Sequence, residues 1–248
     1  MLTDKSILIT GAASGIGAAA ARAFHAHCAK LTLLDRSDAV HAVAEALGAL
    51  GVVADITDTA AIRAAVEAAV VHYGRLDGAF NNAGTEQRGG AMIPLDSYPL
   101  DDFDRVLGIN LRGTLICMQA ELAVMIPAAR GAIVNTASVL GHIGAPGMAA
   151  YVTSKHGVIG ITRVAALEHA KGGIRVNAVL PGPVSTPMLT ERAFPMNPGY
   201  EEAVAEITPI GRIARAEEIA EAAAWLLSDY ASYVTGLALP VDGGMSAR

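Results

Sequence analysis

Short runs of Val, Ile, Leu and Thr alternate along the chain with Ala-rich stretches whose apolar positions recur at helical spacing. Strands are predicted over 7–10, 31–35, 52–54, 76–81, 132–136, 175–180 and 237–240, and helices over 16–28, 39–47, 59–73, 101–126, 151–171 and 217–228. This βαβ alternation predicts an α/β fold: a Rossmann-type, doubly wound parallel sheet of about seven strands with helices on both faces. No Pro, Gly or Ser run is long enough for a linker and no fixed-period repeat is visible, so residues 1–248 are expected to form a single domain. Two segments break the alternation, 85–100 and 185–208, the second with three prolines between Ser185 and Tyr200. Both leave the C-terminal ends of predicted strands, the edge where open α/β sheets bind ligands, and both are expected to be substrate loops.

Composition narrows the picture. With 52% hydrophobic and 17% charged residues the chain must build a large core, and 4% aromatics means that Ala, Val, Ile and Leu build it. A net charge of -6 leaves no cationic surplus for nucleic acid or an anionic membrane surface. Gly131–Ser154 lacks charged residues, but four glycines, Pro146 and Asn135 break it as a spanning helix. The first residues show no signal-peptide pattern, Cys28 and Cys117 read as reduced core residues, and a cytoplasmic protein is expected.

The first strand runs into Thr10-Gly11-Ala12-Ala13-Ser14-Gly15-Ile16-Gly17 and then a helix. Amides at such a helix start can bind a pyrophosphate, although an ordinary strand-to-helix turn uses the same glycines. The second strand ends in Asp35, 18 residues beyond Gly17, where a carboxylate can accept hydrogen bonds from an adenosine ribose and repel a 2'-phosphate. That favours NAD; Arg36 is the counterargument, because a guanidinium can pair with such a phosphate. Tyr151 and Lys155 stand four apart on one face of a predicted helix. A phenol needs a neighbouring positive charge to work as an acid or base near neutral pH, and Lys155 is placed to supply it; the alternative is an exposed pair on a solvated face.

Taken in order, these features resemble the short-chain dehydrogenase/reductase family over essentially the whole chain. Its carriers are the Thr10–Gly17 loop, Asn81-Asn82-Ala83-Gly84, Asn110, Ser138, Tyr151 and Lys155 at 13 and 17 residues beyond Ser138, and Pro181-Gly182. The resemblance implies hydride transfer between a nicotinamide ring and the carbinol carbon of a secondary alcohol. Tyr151 would exchange the hydroxyl proton, Lys155 would lower its pKa and bind the nicotinamide ribose, Ser138 would bond the reacting oxygen, and Asn110 would hold a water on a proton path to Lys155. It also implies cofactor contacts from Gly11, Ser14, Gly15, Ile16, Gly17, Asp35 and Arg36, with Asp55 and Ile56 beside the adenine. Asn82, Ala83 and Gly84 would lie near the adenosine ribose, and Pro181, Gly182, Val184 and Thr186 around the nicotinamide. Each has a plainer alternative: Asp55 a helix cap near Thr57, Asn82 a brace between strands, Thr186 a turn hydroxyl. The long 85–100 segment and Ala216, where the family often has proline, depart from the pattern.

The two loops supply Met92, Ile93, Tyr98, Met188, Leu189, Phe194, Met196 and Tyr200, an apolar wall for a moderately sized or cyclic alcohol or diol, or simply lid packing. His142 is a candidate substrate contact, and no histidine stands at metal-ligand spacing, so no metal is expected. Arg88, Arg192, Arg212 and Arg215 keep open a basic patch for a carrier-bound 3-oxoacyl substrate with NADPH, and a non-catalytic dinucleotide sensor is a further alternative. Similar proteins are usually tetramers, so a homotetramer is expected.

Overall fold

The computed structural model describes residues 1–247, so Arg248, the last residue of the expected domain, lies outside the described residues. Seven parallel strands form one sheet in the order β3-β2-β1-β4-β5-β6-β7. They are β1 (Ser6–Thr10), β2 (Lys30–Asp35), β3 (Leu50–Val53), β4 (Gly78–Asn81), β5 (Gly131–Thr136), β6 (Ile174–Pro181) and β7 (Ala238–Val241). The order reverses between β1 and β4, which opens a crevice at their C-terminal ends.

Helices α1 (Gly15–Ala26), α2 (Val40–Ala46) and α9 (Ala216–Leu227) cover one face. Helices α3 (Thr59–Tyr73), α5 (Thr114–Ala128) and α6 (Ala149–His169) cover the other, with α4 (Leu100–Leu107) packed on α6. The Ala-rich stripes let these helices approach closely: Ala19, Ala20 and Ala21 of α1 and Ala220, Ala223 and Ala224 of α9 are fully buried against each other's cluster. Phe24 and Phe80, with ring centroids 5.9 Å apart, are fully buried in that layer.

Local chemistry sets the boundaries. Asp58 caps α3 by accepting from the amides of Ala60 and Ala61, and Gly74 ends it in the left-handed region at φ 77. The long predicted helix over 101–126 is α4 and α5 joined by a π-turn over Gly108–Gly113. This rod, Leu100–Ala128, is long and apolar enough to cross a membrane, but half of its most apolar stretch is buried in the protein.

Two expectations are corrected here. The 185–208 segment is not a loop throughout, for it holds a π-turn (Met188–Ala193), a single turn α7 (Phe194–Met196) and helix α8 (Tyr200–Ile207). Gly199 at φ 78 starts α8, and Glu201 and Glu202 in its first turn complement the helix dipole, signals masked by the surrounding prolines. Cys28 is exposed rather than in the core, because the chain leaves α1 there through a left-handed turn at φ 64; Cys117 is buried, and both are free thiols.

Candidate active site

Strand β1 delivers the chain into the glycine loop. Gly11 at φ 68 and Gly15 at φ 54 hold left-handed backbone, and a Cβ on Gly17 would lie 2.0 Å from the Gly11 carbonyl oxygen. Ser14 makes no side-chain cap bond and the first turn of α1 carries no acidic residue, so the positive end of the helix is open to an anion. A Cβ on Gly15 would come 3.4 Å from the Thr186 side chain, which puts the loop and the 182–186 turn face to face. This cradle fits the pyrophosphate of a dinucleotide.

Asp35 is held at the end of β2 by the amides of Ala13 and Ser37, each 3.0 Å from one carboxylate oxygen. Each oxygen keeps a lone pair for a ribose hydroxyl. Arg36 is exposed beside it. The Asp55 carboxylate accepts from the amide and hydroxyl of Thr57, both at 2.8 Å, which holds its pKa below the ordinary value with help from the Arg36 charge. Asp58, not Asp55, is the helix cap. Ile56 is buried, and a Cβ on Gly113 would meet its side chain at 2.7 Å, so it packs on the π-turn.

Asn82 does brace strands: its amide group donates to Thr10 O at 3.3 Å and Gly11 O at 3.4 Å, and its carbonyl accepts from Thr136 Oγ1 at 3.5 Å. The Thr10 hydroxyl accepts from the amides of Asn82 and Ala83, both at 3.0 Å. A Cβ on Gly84 would lie 3.3 Å from Asn110 Oδ1 and 3.6 Å from Lys155 Nζ, so the three converge.

Helix α6 buries Ala150 against α4, Ser154 against the π-turn, and Val158, Thr162 and Ala165 against the sheet, which turns Tyr151 and Lys155 toward the C-terminal end of β5. Ser138 caps the short 3-10 turn over Val139–Gly141, its Oγ accepting from the Leu140 amide at 3.2 Å, and its side chain lies near enough to the Tyr151 phenol to act on its pKa. Burial pushes the Tyr151 phenol up to about 12; the Ser138 side chain opposes the shift and the Glu86 charge adds to it. Burial also lowers Lys155 to about 8. The expected lowering of Tyr151 by Lys155 is therefore not what this structure displays. Lys155 Nζ stands 5.5 Å from the centroid of the Tyr151 ring and donates to Thr136 O at 2.8 Å, and desolvation of the phenol dominates.

Asn110 sits buried on the π-turn. Its Oδ1 accepts from the Thr85 amide at 2.7 Å and its Nδ2 donates to Thr85 O at 2.8 Å and Ser154 Oγ at 3.0 Å. At the other end, buried Pro181 closes β6, a Cβ on Gly182 would meet Asp242 Cα at 2.8 Å, and Val184 pairs with Ala214. Thr186 Oγ1 donates to Val184 O at 3.4 Å, so it is a turn hydroxyl in this structure.

The two long segments pack on each other: Asn197 Nδ2 donates to Gly90 O at 3.1 Å, and a Cβ on Gly90 would meet Ala193 Cα at 2.9 Å. Of the predicted apolar wall, Met92, Leu189 and Tyr200 line a small cavity there. Tyr98 and Ile93 instead pack under the lid with Val106 and Ala150, while Met196 faces solvent. His142 is exposed at the end of the 3-10 turn. Among the described residues no group of three or more His, Cys, Asp or Glu could hold a metal. The basic patch is largely neutralised: Arg88 pairs with Asp101 at 3.2 Å and Arg212 and Arg215 pair with Glu218 at 2.7 and 3.7 Å. Ala216 starts α9, a position suited to proline, where Glu218 instead accepts from the Arg215 amide at 2.8 Å.

Sequence reasoning missed Glu86 and Gln87, which are buried and line the same cavity. They follow the Asn81–Gly84 motif in an aperiodic segment, and polar residues in such a segment read as solvated.

Comparison with known proteins fits this geometry. The family model described as enoyl-(acyl carrier protein) reductase matches residues 11–246. The 2,5-dichloro-2,5-cyclohexadiene-1,4-diol dehydrogenase of Sphingobium indicum is 44% identical over 250 residues, covering 99% of this chain and 98% of that protein. The crystal structure of levodione reductase is 40% identical, with a TM-score of 0.93 over 100% of this chain and 99% of that one. A 3-ketoacyl-(acyl-carrier-protein) reductase from Brucella melitensis complexed with NADH is 34% identical, with a TM-score of 0.92 over 99% of this chain and 100% of that one.

Proposed function

The chain belongs to the short-chain dehydrogenase/reductase family and is an oxidoreductase of alcohol and ketone groups that uses a nicotinamide dinucleotide; from that premise we propose that it interconverts a cyclic secondary alcohol or diol and its ketone with NAD. The observation that carries the reading is the convergence at the C-terminal end of β5, where Lys155 Nζ stands 5.5 Å from the Tyr151 ring centroid and donates to Thr136 O, with the Ser138 side chain acting on the phenol. The bound nicotinamide supplies hydride chemistry at the carbinol carbon. Tyr151 gives and takes the hydroxyl proton at its phenolic oxygen, and Ser138 holds the same oxygen of the substrate. Lys155 grips the cofactor ribose and, with Asn110, carries the proton path to solvent.

Residues 1–248 act as one catalytic domain in this reading, with 85–100 and 185–208 as substrate segments. Gly11, Ser14, Gly15, Ile16 and Gly17 hold the pyrophosphate. Asp35 holds the adenosine ribose and Arg36 lies alongside, Asp55 and Ile56 flank the adenine, and Asn82, Ala83 and Gly84 line the ribose. Pro181, Gly182, Val184 and Thr186 set the nicotinamide face. The Asp35 carboxylate favours NAD over NADP by charge repulsion. The names of the relatives, a cyclohexadiene-diol dehydrogenase among them, support a ring substrate, and the paired arginines weigh against a carrier-bound one. We also propose a cytoplasmic homotetramer packed through α4–α5 and α6, which sedimentation at micromolar concentration tests.

Absorbance at 340 nm with NAD or NADP and a panel of cyclic secondary alcohols tests the activity. Turnover with NAD that vanishes in Tyr151→Phe supports the reading; tight NAD binding without turnover across the panel supports a sensor instead.

A further inference from the structure

The backbone beside the catalytic pocket is fixed from several sides. Asn110 holds both backbone polar groups of Thr85, Arg105 Nη2 donates to Glu86 O at 2.8 Å, and the Arg88 amide donates to Asp102 Oδ2 at 3.2 Å. The side chain that this anchoring presents is out of place by ordinary rules. Glu86 is 7% exposed, and its Oε1 is buried without a hydrogen-bond partner; Gln87 is 2% exposed and its Oε1 is likewise unpartnered. Buried polar groups are nearly always paired, so two orphaned acceptors in one cavity call for a donor from outside the chain.

The remaining surroundings indicate which donor. Both residues line the cavity with Met92, Leu189 and Tyr200, an apolar wall suited to a carbon ring. Glu86 stands two residues past Gly84, where a Cβ would lie 3.6 Å from Lys155 Nζ, and Met148, three residues before Tyr151, also lines the cavity, so the cavity adjoins the pocket where the proton is exchanged. Burial pushes the Glu86 carboxyl up to about 7 against the pull of the Arg192 charge on the facing π-turn, so the site suits a neutral hydroxyl rather than a cationic ligand.

We propose that Glu86 determines substrate choice by accepting a hydrogen bond from a second hydroxyl of the substrate, on a ring position away from the carbon served by Tyr151. The preferred class is then a cyclic diol over the single alcohol of the same ring. This rests on the redox reading above. Glu86 is a specificity-determining contact, and Gln87 offers a second acceptor beside it.

The test compares cyclohexane-1,4-diol with cyclohexanol in wild type, Glu86→Leu and Glu86→Gln, by kcat/KM and by calorimetric titration of each compound into the protein. Above pH 8, where the Glu86 carboxyl raised to about 7 is ionised, wild type should prefer the diol by about 10- to 100-fold, the range for one hydrogen bond to a buried charged acceptor. Glu86→Leu should lose that preference, read as the ratio of the two kcat/KM values and of the two binding constants, and Glu86→Gln, which keeps an acceptor, should retain most of it. No diol preference in wild type, or an equal fall for both compounds in Glu86→Leu, overturns the proposal. If no cyclic alcohol is oxidised with either cofactor, the redox reading fails. The Glu86 assignment is then judged by titration alone: diol binding favoured in wild type and lost in Glu86→Leu upholds it, and equal binding of both compounds overturns it.

Discussion

Lys155 lies over the face of the Tyr151 ring, its Nζ 5.5 Å from the centroid, and gives its hydrogen bond to the carbonyl of Thr136 at 2.8 Å. The Ser138 side chain lies near the phenol and acts to lower its pKa. Each of the two groups is held in its neutral form more firmly than in water, Tyr151 near 12 and Lys155 near 8, because both have left water together. The pair is an uncharged proton donor and a lysine easily deprotonated, tied through α6 to the end of β5.

Removing the phenolic oxygen should stop the chemistry and little else. Tyr151→Phe is expected to lower kcat by about 10²- to 10⁴-fold with Tm changed by no more than a few degrees. Ser138→Ala should lose less, because its hydroxyl only shares the reacting oxygen. Initial rates at 340 nm and a thermal melt on the same samples decide it, and a Tyr151→Phe enzyme of full activity would refute the assignment.

Asp35 should govern the choice of dinucleotide. Asp35→Ser removes the negative charge beside the adenosine ribose, so kcat/KM with NAD should drop about 10-fold and that with NADP should rise, by relief of like-charge repulsion. Unchanged cofactor ratios would show that the carboxylate acts only on Ala13 and Ser37.

Gly17 tolerates no side chain. A methyl there would stand 2.0 Å from the Gly11 carbonyl oxygen, so Gly17→Ala should cost about 1–3 kcal/mol or more and abolish the Tm rise that NAD produces in wild type. Retained NAD protection would mean that the loop can shift without losing its ligand.

Glu121 should make stability fall with rising pH. It is fully buried, accepts from Asn81 Nδ2 at 3.0 Å, and burial pushes it from 4.5 to about 8. Between those values the folded chain holds a proton that the unfolded chain has released, so folding stability declines as pH rises through that window and levels off above about 8. Glu121→Gln removes the dependence, and its Tm advantage over wild type should grow from pH 5 to pH 8. A pH-independent difference between the two proteins would show that Glu121 does not titrate there.

Sequence alone determined the α/β alternation and the order of the chemistry. Both are written locally: helical and strand periods lie within each segment, and the glycine loop needs its residues at fixed spacing because backbone conformation is a near-neighbour property. Tyr151 and Lys155 could be paired on paper because one helical turn separates them. What the tertiary structure decided is everything that depends on how much water a group has lost and what faces it across the fold. It placed Lys155 on the Thr136 carbonyl, turned Asn110 toward Thr85, folded α8 within an expected loop, and buried Oε1 of Glu86 and of Gln87 without a partner. Those outcomes arise from long-range packing and desolvation, which no window of neighbouring residues encodes.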